Sequence, residues 1–154
     1  PYHPQKSITY LINRYQNHPV YKYRFWGVYK RGDLVAIFVI RKQFVGSSSC
    51  LRLVDIYGDI NGIGRAYHQL QKLIRNEEAE FIDCYNYGIR ETVFARIGFD
   101  KLDPGGDTIV PNYFEPFEQR NVVINFAVKT QYPDYVIFKG DSDQDRPSII
   151  ENHE

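Results

Sequence analysis

The most informative apolar pattern in this chain changes period partway through. Leu51, Leu53, Val54 and Ile56 read as a mostly buried strand, which Gly58 and Asp59 end with turn chemistry. Gly62-Ile63-Gly64 follows, and then Ala66, Leu70, Leu73 and Ile74 mark one face of a helix running to about Asn76. This spacing predicts that both glycines sit in the first turn of that helix. Backbone N–H groups there lack intrahelical partners and the helix dipole adds partial positive charge, so Asn61 to Arg65 form a candidate anion cradle.

On either side the pattern predicts more elements. Ser7 caps a helix over Ser7 to Gln16 with an apolar stripe at Ile8, Leu11, Ile12 and Tyr15, and Pro19 stops it. Tyr21 to Tyr29 and Leu34 to Ile40 flank Lys30-Arg31-Gly32-Asp33 as a hairpin. Beyond the central helix, Glu80 to Tyr85 is a short strand. A crossover helix between two strands implies that they pair in parallel. Ile89, Val93, Phe94 and Ile97 mark a second helix with Gly98 as its C′ residue. Phe99 to Leu102, Thr108 to Phe114 and Val122 to Val128 are expected to form an antiparallel far end, with Tyr135 to Phe138 as one more edge strand. The fold class is therefore α/β: a mixed, mostly antiparallel sheet flanked by helices around a parallel strand-helix-strand core.

Composition narrows the function classes. With 154 residues, 43% of them hydrophobic, the chain suits one domain. A formal net charge of +0 argues against a nucleic-acid or anionic-membrane partner. No apolar run approaches a membrane span and no signal-peptide pattern opens the chain. Cys50 and Cys84 lack metal-ligand spacing and read as free thiols in a reducing cytoplasm. The aspartates from Asp141 to Asp145 resemble a calcium loop but lack its glycine and its final glutamate, so no metal is assigned.

The strand, turn, Gly-Ile-Gly, helix, second strand and second helix closing on Ile97-Gly98-Phe99 resemble the GNAT superfamily of acyl-CoA N-acyltransferases from about Ser7 to Thr130. The resemblance implies a GNAT-like domain over 1–131 with a C-terminal extension over 132–154. It also implies acetyl-CoA or another acyl-CoA as cosubstrate and a small-molecule amine as acceptor. In that family the turn reads Gln/Arg-x-x-Gly-x-Gly/Ala and its amides cradle the pyrophosphate; here Asp59 stands at the first position. A carboxylate there opposes the anion unless it turns away or caps the helix itself.

By the same resemblance, the thioester lies in a splay between Val54–Tyr57 and Asp83–Asn86. The cofactor is held by Ile56, Asn61, Gly62, Ile63, Gly64, Arg65 and Asn86. Asp55 or Tyr57, two residues apart on one strand face, would take the acceptor's proton; a turn hydrogen bond for Asp55 and a packed ring for Tyr57 are the competing readings. The family's proton donor to the thiolate falls on Phe94, which cannot serve, leaving Tyr85 or Tyr87. The alternative function is a non-catalytic GNAT-like half, a packing or recognition module in a larger protein. A Fem-type aminoacyl transferase, acting on aminoacyl-tRNA, is disfavoured by the neutral charge. With no methionine and no strand before its first helix, the chain reads as the C-terminal part of a longer protein. Its partner would then be an upstream GNAT-like half, or a second copy in a homodimer.

Overall fold

The computed structural model describes residues 2–111 and 118–142. The part of the expected far end over Asn112 to Phe114 and the polar tail beyond Ser142 lie outside the described residues. β1 (Tyr23–Lys30) and β2 (Asp33–Val45) form the expected hairpin, closed by Arg31 and Gly32 at φ 55° and 94°, which matches the twist of the strands. β3 (Ser48–Gly58) pairs antiparallel with β2, and β4 (Ile82–Asp83) pairs parallel with β3 at Leu51 and Arg52. The sheet order is β1-β2-β3-β4. The protein is thus mixed α/β with a mostly antiparallel four-stranded sheet and helices.

A bulge explains the spacing of the apolar residues on β3. Val39 opposes Asp55 and Ile40 opposes Leu53, so Val54 is the extra residue and the strand changes phase there. Leu51 and Leu53 before the bulge and Ile56 after it all enter the main core with Phe38, Ile40, Leu70 and Leu73. Val54 instead turns to the other face, against Val39 and Tyr15.

The crossover contains two kinds of helix. Ile60–Arg65 is a 3-10 helix, and α2 (Tyr67–Asn76) begins only after it. Gly62 and Gly64 therefore precede the α-helix rather than occupying its first turn, because Asp59 caps a tighter helix that starts earlier. α2 buries Leu70 and Leu73, each contributing about 1.5–3 kcal/mol. Near the start of the chain, α1 (Ile8–Leu11) leads into a π-helical turn over Ile12–Gln16, and the Ser7 hydroxyl accepts the Tyr10 N–H at 3.0 Å as expected. The apolar stripe is not buried as predicted: Ile8 is 77% exposed while Tyr15 is 1% exposed. Only the end of this element lies over the sheet.

The antiparallel far end is not found among the described residues. Phe99–Leu102 and Val122–Val128 form no strand. The edge strand expected over Tyr135 to Phe138 is present in shortened form as β6 (Ile137–Phe138), which pairs antiparallel with β5 (Asn86–Tyr87), and α3 (Glu91–Ala95) follows β5. Val136 and Phe138 are buried in the main core, so the C-terminal stretch is an integral layer of the fold. Among the described residues no helix is long and apolar enough to cross a membrane.

Candidate functional site

Pairing of β3 with β4 stops at Arg52 and Asp83, whereas β3 stays paired with β2 as far as Gly58. The side of β3 where a splay was expected is filled near Val54 by the chain itself. Gly140 comes so close that a Cβ there would lie 2.9 Å from the Val54 carbonyl and would collide with the Tyr15 hydroxyl. The open space is displaced to the end of the strand. It is a cavity of about 690 Å³ between the Gly58–Asn61 turn, Tyr87–Arg90 and Pro133–Val136, with His3 on its wall. Gly88 shapes it: at φ +88° it adopts a conformation few side chains tolerate, and a Cβ would strike the Tyr135 carbonyl.

Of the residues singled out from the sequence, Asn61 and Tyr87 line this cavity. The Tyr87 ring packs against Phe126 and Tyr135, each 5.2 Å away. The other proposed cofactor contacts are elsewhere. Ile56 and Ile63 are core side chains, and Asn86 donates its side-chain N–H to the Cys84 carbonyl at 3.4 Å. Gly62, Gly64 and Arg65 do not reach the cavity wall. The amides expected to be free are partly used: the Asn61 N–H donates to the Asp59 carboxylate and the Gly62 N–H to the Asp59 carbonyl, both at 3.0 Å. An incoming anion must displace that carboxylate or bind beside it.

Asp55 is 0% exposed and has no face on the cavity. One carboxylate oxygen accepts from Lys6 Nζ at 2.5 Å, the other from the Tyr15 hydroxyl at 2.6 Å, and Lys6 also pairs with Asp141 at 2.8 Å. Sequence reading missed Lys6 because the contact spans residues far apart in the chain. Tyr57, two residues on, is 42% exposed. Tyr85 sits away from the cavity, with the Arg52 guanidinium and Lys139 Nζ each 5.7 Å from its ring, and burial pushes its phenol up to about 12. Arg52, fully buried, donates to both oxygens of Asp83 at 2.6–3.0 Å.

The Lys6 network makes a pH prediction. Burial lowers the Lys6 pKa, but Asp55 and Asp141 outweigh it and hold the ammonium above its ordinary 10.5. A pKa raised on folding gives stability that is complete below the unfolded value and lost as pH rises through the folded one. The gap in melting temperature between wild type and Lys6→Met should stay constant from neutrality to pH 10.5 and shrink above it. A gap unchanged up to the highest pH at which the fold survives would contradict this.

Among the described residues no group of His, Cys, Asp and Glu could hold a metal ion, and Cys50 and Cys84 are free thiols. The residues that line the cavity and were not legible beforehand are His3, Arg90, Asp134 and Tyr135. Comparisons of the chain with protein-family models, with curated proteins and with solved structures found no match.

Proposed function

We propose that the chain is an acyl-CoA-dependent N-acyltransferase of the GNAT type, moving an acetyl or other acyl group to an amine of a small molecule. The observation that carries this reading is the cavity at the free end of β3. It lies beside the strand-to-helix turn, at the end of the strand whose earlier residues pair in parallel with β4, and it is of a size that accepts a small ligand. In this reading the thioester enters between Asn61 and Tyr87, and the Tyr87 hydroxyl gives its proton to the leaving thiolate, the role Phe94 cannot fill. Free thiols at Cys50 and Cys84 suit a reducing cytoplasm.

A second reading, a non-catalytic GNAT-like module, is favoured by one observation: Asp59 occupies the turn amides that a pyrophosphate would use. Isothermal titration separates the two. Wild-type protein should release heat with acetyl-CoA. Asp59→Asn, which keeps an acceptor for the Asn61 N–H but removes the charge, should bind about fivefold tighter, the effect of one nearby charge in a partly solvated site. Unchanged affinity in Asp59→Asn would place the phosphates away from the turn. No heat with acetyl-CoA, propionyl-CoA or CoA would end the enzyme reading and leave the module.

A further inference from the structure

We propose that His3 is the general base of this reaction, the group that takes the proton from the acceptor's ammonium; this rests on the acyltransferase reading above. Asp55 cannot serve, since both of its oxygens are engaged by Lys6 and Tyr15 under the fold's own cover. Among the described residues, the titratable side chains on the cavity wall are His3, Asp59, Tyr87, Arg90, Asp134 and Tyr135. A guanidinium carries no free base at working pH, a phenol is protonated there, and a carboxylate with a reference pKa of about 4 is a weak acceptor for an ammonium proton. Asp59 is moreover committed to the Asn61 N–H. Imidazole is the remaining base whose pKa lies near neutrality.

The segment that carries His3 is also held in place beside the cavity. One residue before it, the Tyr2 N–H donates to the Asp134 carbonyl and the Tyr2 carbonyl accepts from the Val136 N–H, both at 2.7 Å, while the Tyr2 ring stacks on Tyr132 at 4.4 Å. Three residues after it, Lys6 is buried on Asp55 and Asp141. Pinned on both sides, the segment places the exposed His3 on the cavity wall. Burial lowers the His3 pKa from its ordinary 6.5, with Lys6 adding to it and Asp141 opposing.

The step balances as follows. His3 takes one proton from the ammonium, the freed amine attacks the thioester carbon, the C–N bond forms and the C–S bond breaks. The second nitrogen proton ends on the CoA thiol, delivered through Tyr87, and His3 releases the first to solvent.

The test measures thiol release from acetyl-CoA with spermidine, ethanolamine and benzylamine, which are ammonium ions at pH 7.5, and with aniline, which is already neutral. His3→Gln should lower kcat/KM for the ammonium acceptors by about 10²–10⁴-fold. It should make their pH profile follow the ionisation of the amine alone, remove the acidic limb with aniline while sparing its plateau rate, and leave melting temperature and acetyl-CoA affinity unchanged. Wild-type rates and an unchanged pH profile in His3→Gln would overturn the role of His3 while the acyltransferase reading stands. Absence of thiol release by the wild-type protein with every amine would overturn both.

Discussion

Replacing Lys6 with methionine should destabilise the fold by about 3–5 kcal/mol, the usual cost of removing one partner from a buried ion pair. The substitution keeps most of the aliphatic stem and removes only the ammonium. Asp55 is then left fully buried with a single donor, the Tyr15 hydroxyl, and Asp141 loses the cation it pairs with. For a chain of this size that corresponds to a fall in melting temperature of roughly 6–20 °C. Adding Asp55→Leu should recover part of the loss, because an apolar pair of similar volume removes the unpaired charge. A single mutant within 1 kcal/mol of wild type by chemical denaturation would mean that water replaces Lys6 at no cost, and that the network does not clamp the segments around Lys6 and Asp141 onto β3.

The second large effect is expected at Gly140. Alanine there puts a methyl group into the Tyr15 hydroxyl and 2.9 Å from the Val54 carbonyl, a separation real Cβ atoms do not show. Neither neighbour can yield easily: the hydroxyl is bonded to Asp55, and the carbonyl belongs to the central strand. Overpacking of this kind costs about 1–3 kcal/mol. The strain should be relieved by lifting residues 137–141 off β3, which breaks the Lys139 N–H bond to the Tyr85 carbonyl at 3.0 Å. Amide exchange at Lys139 should therefore accelerate more than exchange within β2. Tyr15→Phe in the Gly140→Ala background should return only part of the stability, since the Val54 contact remains. Equal exchange at both sites would mean that the segment is not wedged against the strand.

Much of the architecture is read directly from local pattern. The hairpin of β1 and β2 follows from two β-branched and aromatic runs around Arg31-Gly32, and α2 from the apolar face of Leu70 and Leu73. The parallel entry of β4 follows from the length of the crossover alone. What failed was the far end, where apolar runs such as Val122–Val128 looked like strands. An apolar run is compatible with a strand, but a ladder also needs a partner edge, and among the described residues it is β6 that takes the edge of β5.

The sequence by itself therefore determined elements whose signals are local: the β1–β2 hairpin and its turn, the face of α2 and the Ser7 cap. Tertiary structure alone decided which charges meet. Nothing within reach of Asp55 along the chain announces Lys6, Tyr15 and Asp141 as its neighbours, and only the approach of the segments that carry them to β3 turns a candidate base into a buried clamp. The cavity is of the same kind, for His3, Asn61, Tyr87 and Tyr135 come from segments with no shared period. Local patterns are set by the chain's own geometry over a few residues. The site depends on long-range packing, where a bulge at Val54 and a glycine at 140 decide what fills the open side of a strand.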